Sequence, residues 1–315
     1  MKTSLSMSQA VEFYLCTRRR FGFALKTEER LLRSMVVYSR RVHHKGPLTE
    51  AFALEWARLP ADAKPMWWAK RLHAVRSFAR FWQTFDPKIQ VPAAGVFGPG
   101  NCRRPVHIYT ADEISQLFQA ARRLRPARGL RPAAFITLLG LLTCTGMRIS
   151  EALNLQLEDF DSAAATLMIR RSKSGQSRVL PLQPSSVLAL QNYQRLRQRH
   201  CSHAHSDAFF LTDGGEPLSY EMARQVFRCL RAQLGWITPP IPRLHDLRHT
   251  FAVNRLITWQ RQGGDEVNQN ILALATYLGH RNIRHTYWYL SAMPELLAIA
   301  SKRLVATQPT EAIHE

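Results

Sequence analysis

The sequence predicts a mainly α-helical protein of two domains, with one small β-hairpin inserted into the second domain. The chain has 315 residues, which at about 150 residues per domain suggests two domains. Apolar residues recur at three- and four-residue spacing along much of the chain, as in amphipathic helices. Only the region 166–182 has short β-type runs around a turn. An apolar fraction of 46% is sufficient for packed cores and argues against disorder.

Residues 1–90 are predicted to form a helical N-terminal domain, with its helices between Ser8 and about Asp86. The apolar residues Val75, Phe78 and Ala79 follow helical spacing up to Phe81 and Trp82. A segment rich in proline and glycine follows and is predicted to be a linker, at 91–106, because such a composition does not sustain a helix.

The second domain is predicted to span 107–305, with a short tail at 306–315. Its first helix should begin after Thr110, because Thr110 and Glu113 have the spacing of a capping box. The segments 166–170 and 178–182 are predicted to be two strands, with 172–177 as the turn between them.

A large positive charge restricts the partners that the protein can have. The 43 Lys and Arg residues exceed the 23 Asp and Glu residues by 43 − 23 = 20, and the pI is near 10.6. Counterion release favours the binding of such a surface to a polyanion, so double-stranded DNA is the first candidate partner and an anionic membrane the second. The membrane is disfavoured: residues 1–15 have no signal-type apolar run, and the most apolar window, 132–147, is too short to span a bilayer.

The five cysteines are scattered along the chain and form no CxxC pair. This pattern indicates neither a disulfide framework nor a zinc site, and it fits a reducing cytoplasm.

Basic side chains form clusters that are candidates for contact with DNA. Taken alone, each cluster fits a solvated helix face equally well; the high net charge favours a DNA-facing surface. The candidates are Arg18, Arg19, Arg20, Lys70, Arg71, Arg76, Arg103, Arg104, Arg171 and Arg178.

Two segments, one before the predicted hairpin and one in its turn, contain candidate catalytic residues. Arg148 follows an apolar helix that should end at Gly146, and it shares a helix face with Glu151 three residues on. A surface ion pair would explain the spacing of Arg148 and Glu151. However, an arginine that directly follows a buried apolar segment is expected to be buried itself and to pair with an anion. Lys173 lies in the predicted turn, where lysines are usually just solvated.

Two further segments lie towards the C-terminus. His245 and Arg248 are three residues apart, on a different helix face from the apolar residues beside them. A capping histidine and a surface arginine would be the ordinary explanation. Gly279 should end a helix, with His280 directly after it and the tyrosines Tyr287 and Tyr289 beyond, where an aromatic core cluster is the alternative.

In this order, Arg, Lys, His-x-x-Arg, Leu-Gly-His and Tyr resemble the signature of the tyrosine recombinases, the phage-integrase family. The separation of 289 − 280 = 9 between His280 and Tyr289 matches the family's spacing between its last histidine and its nucleophile. The resemblance covers nearly the whole chain and implies a helical core-binding domain followed by an α+β catalytic domain. The segments 286–292 and 172–182 further resemble recombinases of mobile elements that carry several recombinase genes side by side; integration, excision, resolution and transposition all stay open.

The resemblance implies a role for each residue of the signature. Tyr289 would be the nucleophile and form a covalent 3′-phosphotyrosine. Arg148 and Arg248 would hold the phosphate, which suits guanidinium groups, and His280 would donate a hydrogen bond to it. Lys173 would be the general acid and His245 would assist proton transfer. Glu151 would orient the cluster rather than bind a metal, and neither a metal ion nor ATP would be needed.

Two of these assignments are less direct: the nucleophile has an alternative residue, and the turn around the lysine differs from the family pattern. Tyr287 is a rival nucleophile two residues away from Tyr289, and in a helix the two side chains point about 200° apart. The spacing favours Tyr289. The family often has Gly-Lys-Gly in the turn, whereas this chain has Ser172, Lys173 and Ser174.

The family also implies a clamp of two domains around the duplex and a tetramer on DNA, either of one chain or of related recombinases. The segment 294–305 is expected to be a helix that docks on a neighbouring protomer. Two other functions remain open: DNA relaxation of the type IB topoisomerase kind, and DNA binding without catalysis by a decayed family member. The presence of all the catalytic residue types argues against decay.

Overall fold

The computed structural model describes residues 5–100, 105–170, 177–201, 206–261, 267–280 and 282–292. The chain divides into two units, Met1–Arg104 and Pro105–Glu315. Within the described residues it is mostly helical, with one small antiparallel sheet, as the sequence predicts. No helix among these residues is long and apolar enough to cross a membrane.

The first unit consists of helices. They are α1 (Met7–Arg20), α2 (Lys26–Arg41), α3 (Glu50–Arg58) and α4 (Pro65–Trp82). Ser6 and Gln9 form a capping box at the start of α1, and Pro65 occupies the first turn of α4, where its missing N–H costs no hydrogen bond. The buried apolar faces of all four helices meet in one core around Trp56 and Phe78.

The second unit begins with helices that surround the sheet. They are α5 (Ala111–Arg122), α6 (Leu130–Thr145), α7 (Ile149–Leu153), α8 (Pro184–His200) and α9 (Tyr220–Gln233). Thr110 and Glu113 form the predicted capping box of α5. Helix α6 is apolar around most of its circumference because it is packed on several sides by other helices.

The sheet has three strands in the order β1 (Phe160–Asp161), β2 (Thr166–Ile169) and β3 (Arg178–Pro181). In the pairing of β2 with β3, Leu167 lies opposite Leu180, and both are buried. The two predicted strands each end one residue earlier than expected. Strand β1 was not predicted, since two residues show no alternation. The tip of the turn, 171–176, lies outside the described residues.

The last described helices form a second apolar cluster in this unit. They are α10 (Leu244–Arg261), α11 (Val267–Leu278) and α12 (Arg284–Ala292). Their buried contacts include Leu256, Ile271 and the ring of Tyr289. The predicted helix 294–305 and the tail 306–315 lie outside the described residues.

Candidate active site

Three arginines from three different elements converge on the C-terminal end of α11. Arg178 of β3 donates from Nε to the carbonyl of Tyr277 at 2.8 Å. Arg248 of α10 donates from Nη2 to the carbonyl of Leu278 at 2.7 Å, and Arg148, just before α7, donates from Nη2 to the carbonyl of Gly279 at 2.9 Å. Carbonyls at a helix C-terminus lack partners within the helix and carry partial negative charge, so they attract guanidinium groups.

Gly279 allows this helix end to form. Its N–H donates to the carbonyl of Thr276 and the N–H of His280 donates to that of Ala275, which is a Schellman motif with Gly279 in the left-handed region at φ +66°. A Cβ at Gly279 would lie 2.9 Å from Nη1 of Arg178. The predicted helix end at Gly279 is confirmed, and it brings His280 next to the arginines.

Glu151 joins two of these arginines. Its Oε1 accepts from Nη1 of Arg148 at 2.8 Å, and its Oε2 accepts from Nη2 of Arg178 at 2.8 Å. Only 4% of the Glu151 side chain is exposed, so this is not the surface ion pair of the alternative explanation. Burial raises the pKa of Glu151, but hydrogen bonds from Arg178 and Arg148 outweigh it and lower the pKa to about 2.

Arg248 lies deep in the site, with only 3% of the residue exposed. Its Nη1 donates to the carbonyl of Gly146 at 2.9 Å, at the end of α6. Gly146 adopts φ +61°, and a Cβ there would overlap the ring of Phe251, so the break after α6 needs glycine. Burial and the neighbouring Arg148 lower the pKa of Arg248 to about 10, which leaves it charged at neutral pH.

Tyr289 and Tyr287 occupy opposite faces of α12. Tyr289 is 2% exposed, whereas Tyr287 is 42% exposed, in agreement with the predicted angle between them. The hydroxyl of Tyr289 lies 2.8 Å from Nδ1 of His249, and the proximity of Tyr289 raises the pKa of Arg248, which opposes part of the lowering by burial. The buried tyrosine is therefore the one that faces the charged cluster.

The histidines lie around Tyr289. His280 contacts the buried Thr286 through Nδ1 at 2.7 Å, and its ring lies 6.5 Å from the ring of Tyr289 at an interplanar angle of 22°. His245 and His249 are one turn apart on α10, with ring centroids 4.7 Å apart. Burial among protein atoms and Arg248 lower the pKa of His245, but the residue is also exposed to water, which moderates the shift.

The basic residues that were predicted to contact DNA have several different environments. Arg19, Arg20 and Lys70 are exposed, and the guanidinium of Arg18 stacks on Phe23 at 4.0 Å. Arg76 donates to the carbonyl of Pro92. Lys173, Arg103, Arg104 and Arg171 lie outside the described residues.

Two of these candidates are not exposed in the way that the sequence suggested. Arg71 is buried, with its guanidinium 3.8 Å from the Trp56 ring and its Nη2 donating to the Trp56 carbonyl at 2.7 Å. Arg178 is held by Glu151 and Tyr277. Both were assigned to a DNA-facing surface on charge, and charge does not reveal which arginine has a partner distant in sequence.

His249 and Thr286 lie in the site but were not predicted from the sequence. A signal for His249 was available, because it lies four residues after His245 and so shares its helix face. Thr286 had no such signal, because only the structure shows its contact with His280. In the part of the chain that the structure describes, no three His, Cys, Asp or Glu side chains come together in a way that could hold a metal ion.

Comparisons with known proteins identify the family. The profile of the phage integrase family matches residues 108–295. The chain is 37% identical over 309 residues to y4rB of Sinorhizobium fredii, a provisionally named integrase/recombinase, with 94% of this chain and 96% of y4rB covered. It is 32% identical over 226 residues to the tyrosine recombinase XerD of Mycobacterium tuberculosis, with 70% and 68% covered.

Solved structures show the same fold. The integrase of the transposon Tn1549, in complex with transposon right end DNA, superposes with a TM-score of 0.69 at 17% identity, covering 96% of this chain and all of the other. The XerH site-specific recombinase superposes with a TM-score of 0.65 at 17% identity, covering 95% and 85%. The chain thus belongs to the phage integrase family, the tyrosine-type site-specific recombinases.

Proposed function

We propose that the protein cuts and rejoins DNA strands at specific sites through a covalent 3′-phosphotyrosine at Tyr289. The observation that carries this proposal is the convergence of Arg148 and Arg248 on adjacent carbonyls of one helix end, next to the buried hydroxyl of Tyr289 and the histidines around it. These residues come from four elements of the second unit, so their convergence is a property of the fold and not of one motif.

The arrangement suits transfer at phosphorus. A phosphodiester is anionic and repels nucleophiles, so catalysis depends on positioning and on stabilising the charge of the transition state. Each guanidinium has five N–H donors, and the hydrogen bonds described above use two of those of Arg148 and two of those of Arg248. The remaining donors can fork onto the non-bridging oxygens of a phosphate.

In the proposed step, Oη of Tyr289 forms a bond to phosphorus and the bond from phosphorus to the 5′ oxygen breaks. The phenolic proton passes from Tyr289 to one of the histidines beside it, and the departing 5′ oxygen takes a proton from Lys173, the general acid that the family resemblance implies. His245 assists proton transfer, His280 donates a hydrogen bond to the phosphate, and Glu151 orients Arg148. The reverse step rejoins the strand.

The covalent intermediate retains the energy of the broken phosphodiester, so the proposed reaction needs no ATP. None of its steps uses a metal ion. DNA is the proposed partner, and the activity is therefore assigned to the nucleoid in the cytoplasm. Residues 1–90 are proposed as the core-binding domain and residues 107–305 as the catalytic domain. Exposed basic residues such as Arg20 and Lys70 would contact the phosphate backbone.

Recombination joins two duplexes, so we expect four protomers on DNA, from this chain or from related recombinases. An apolar cavity of about 310 Å³ lies in the second unit, lined by Thr145, Leu182, Phe251, Trp259 and Leu274. The segment 294–305 contains the apolar residues Leu296, Leu297 and Ile299. We propose that this segment of a neighbouring protomer fills the cavity.

Two assays test the proposed function against the other candidates. Covalent trapping on nicked DNA separates a strand-cutting enzyme from a non-catalytic DNA-binding protein. Strand exchange between two linear duplexes separates a recombinase from a type IB topoisomerase, which relaxes supercoils without joining separate molecules. Both assays should be positive without metal or ATP. Trapping with supercoil relaxation but no strand exchange, even with related recombinases added, would favour the topoisomerase.

A further inference from the structure

His249 is not part of the family's signature, yet it contacts the hydroxyl of Tyr289. It lies on α10, directly after Arg248 and one turn after His245. Its Nδ1 is 2.8 Å from the hydroxyl oxygen of Tyr289 on α12, a normal hydrogen-bond length. The contact joins residues 40 positions apart in sequence, so it depends on the packing of α10 against α12.

The surroundings of His249 keep its ring neutral. Its ring centroid lies 5.5 Å from that of Tyr289 and 5.9 Å from that of Trp288, and His245 meets it edge to face. Burial lowers the pKa of His249 to about 3, with further lowering by His245, Arg243, Arg248 and His280. A neutral imidazole has one nitrogen that accepts a hydrogen bond. With the ring hydrogen on Nε2, Tyr289 donates its O–H to Nδ1.

We propose that His249 is the general base that takes the phenolic proton of Tyr289 during attack on the phosphate. This inference rests on the proposed function, in which Tyr289 is the nucleophile. As Oη bonds to phosphorus and the bond to the 5′ oxygen breaks, the proton passes from Oη to Nδ1. The imidazolium formed lies next to the anionic phosphate, which stabilises it. When the strand is rejoined, the proton returns from Nδ1 to Oη.

Two amide substitutions distinguish a base from a residue that only orients the tyrosine. Asparagine places an amide group near the position of Nδ1 and glutamine near that of Nε2, and neither can take up the proton. We expect His249→Asn and His249→Gln both to slow single-turnover formation of the protein–DNA adduct, by about 10²- to 10⁴-fold, with DNA affinity and melting temperature unchanged. A near wild-type rate for His249→Asn would show that orientation suffices and would overturn the proposal.

The pH profile gives a readout that loss of structure alone would not produce. In both variants the adduct should form faster as the pH rises towards the ionisation of a tyrosine, near 10, because hydroxide replaces the missing base. The wild-type rate should change much less between pH 6 and 9. Parallel profiles for wild type and variants would contradict the proposed role.

A substrate with sulfur in place of the bridging 5′ oxygen locates the defect. A thiolate leaves without needing a proton, so this substrate should restore the rate of Lys173→Ala, the matched general-acid variant, but not that of the His249 variants. The comparison is made within each variant and is therefore independent of its active fraction. Restoration of His249→Asn would assign His249 to the leaving group instead.

Two further outcomes complete the test. Faster adduct formation in His249→Ala than in wild type would mean that His249 restrains Tyr289, and would overturn the proposal. If Tyr289→Phe still formed an adduct, the proposed function itself would fail. If Tyr289→Phe formed none and the His249 variants reacted at the wild-type rate, only the inference about His249 would fail.

Discussion

Arg178 binds Glu151 through both ends of its guanidinium group: Nη2 lies 2.8 Å from Oε2 and Nη1 lies 3.2 Å from Oε1. This fork connects the first residue of β3 to α7 across 27 positions of sequence. Because Glu151 also binds Arg148, a single buried carboxylate fixes one of the proposed phosphate-binding arginines relative to the base of the hairpin that carries Lys173. Glu151 thus links the first residue of β3 to Arg148.

The first prediction is that Glu151 makes stability depend on pH. Its pKa is about 2 in the folded protein, below the ordinary value near 4.3, so its contribution is full above about pH 5 and is lost as the pH falls towards 2. We expect Glu151→Gln to lower the free energy of unfolding by about 3 kcal/mol at pH 7, since it leaves two arginines without their anion. Urea unfolding at several pH values measures this.

The difference between wild type and Glu151→Gln should shrink between pH 5 and pH 2.5. The control is Glu221→Gln, which alters the exposed pair with Arg224 and should leave stability unchanged. An equal loss for Glu151→Gln at pH 7 and pH 3 would show that the carboxylate charge is not the source of the stabilisation.

The second prediction concerns Gly279, where both the backbone and the space around it require glycine. Gly279→Ala should cost the strain of a positive φ, about 1 kcal/mol, and should also displace Arg178, whose Nη1 lies 2.9 Å from the added Cβ. Gly235 is a matched control, because it has φ +70° with nothing within 4 Å of a Cβ. We expect Gly235→Ala to show the strain alone in thermal unfolding and to cleave DNA normally. Equal effects of the two substitutions on cleavage would argue against a role for the Arg178 contact.

The third prediction separates Lys70 from its neighbour Arg71. Lys70 is exposed, so Lys70→Ala should weaken DNA binding and reduce the slope of log K against log salt by about 0.9, the effect of one lost phosphate contact. Arg71 stacks on Trp56, so Arg71→Ala should destabilise the first unit by about 1–3 kcal/mol and leave the slope unchanged. Binding titrations at four salt concentrations measure both slopes. A smaller slope for Arg71→Ala and an unchanged slope for Lys70→Ala would contradict the prediction.

The fourth prediction concerns the C-terminal segment. A chain that stops at Ser291 should bind DNA with the affinity of the full chain but lose most strand exchange, because the segment proposed to join protomers is missing. Ala273 lines the cavity that is proposed to receive this segment. Ala273→Trp narrows that cavity and should also reduce strand exchange without weakening DNA binding, although the C-terminal segment is intact. Gel mobility at a single site and strand exchange between two sites measure the two activities. Normal exchange by the truncated chain would refute the docking of this segment.

Local features of the fold were predictable because their causes are local. Thr110 and Glu113 are three residues apart, and Gly146 and Gly279 end helices because glycine adopts a positive φ. Residues close together in sequence therefore suffice to predict these helix ends. The β-hairpin was also predictable, apart from β1, whose two residues pair only because β2 lies beside them.

The site was predictable in part for the same reason. Arg148 with Glu151 and His245 with Arg248 are close in sequence, and the order of the motifs indicated the family. The contact of Arg178 with Glu151 and that of His249 with Tyr289 span 27 and 40 residues, and only the packed structure brings them together. For Arg71, charge favoured the surface, whereas packing against Trp56 buries it.

The most direct test of the central claim is covalent trapping on nicked duplexes taken from the flanks of the protein's own gene. The protein is incubated with this DNA without metal or ATP, and the adduct is measured on a denaturing gel for wild type, Tyr289→Phe and Tyr287→Phe. Tyr287→Phe is the matched control, since Tyr287 lies on the exposed face of the same helix. We expect an adduct for wild type and Tyr287→Phe and none for Tyr289→Phe. An adduct that survives in Tyr289→Phe and is lost in Tyr287→Phe would contradict the assignment of Tyr289 as the nucleophile.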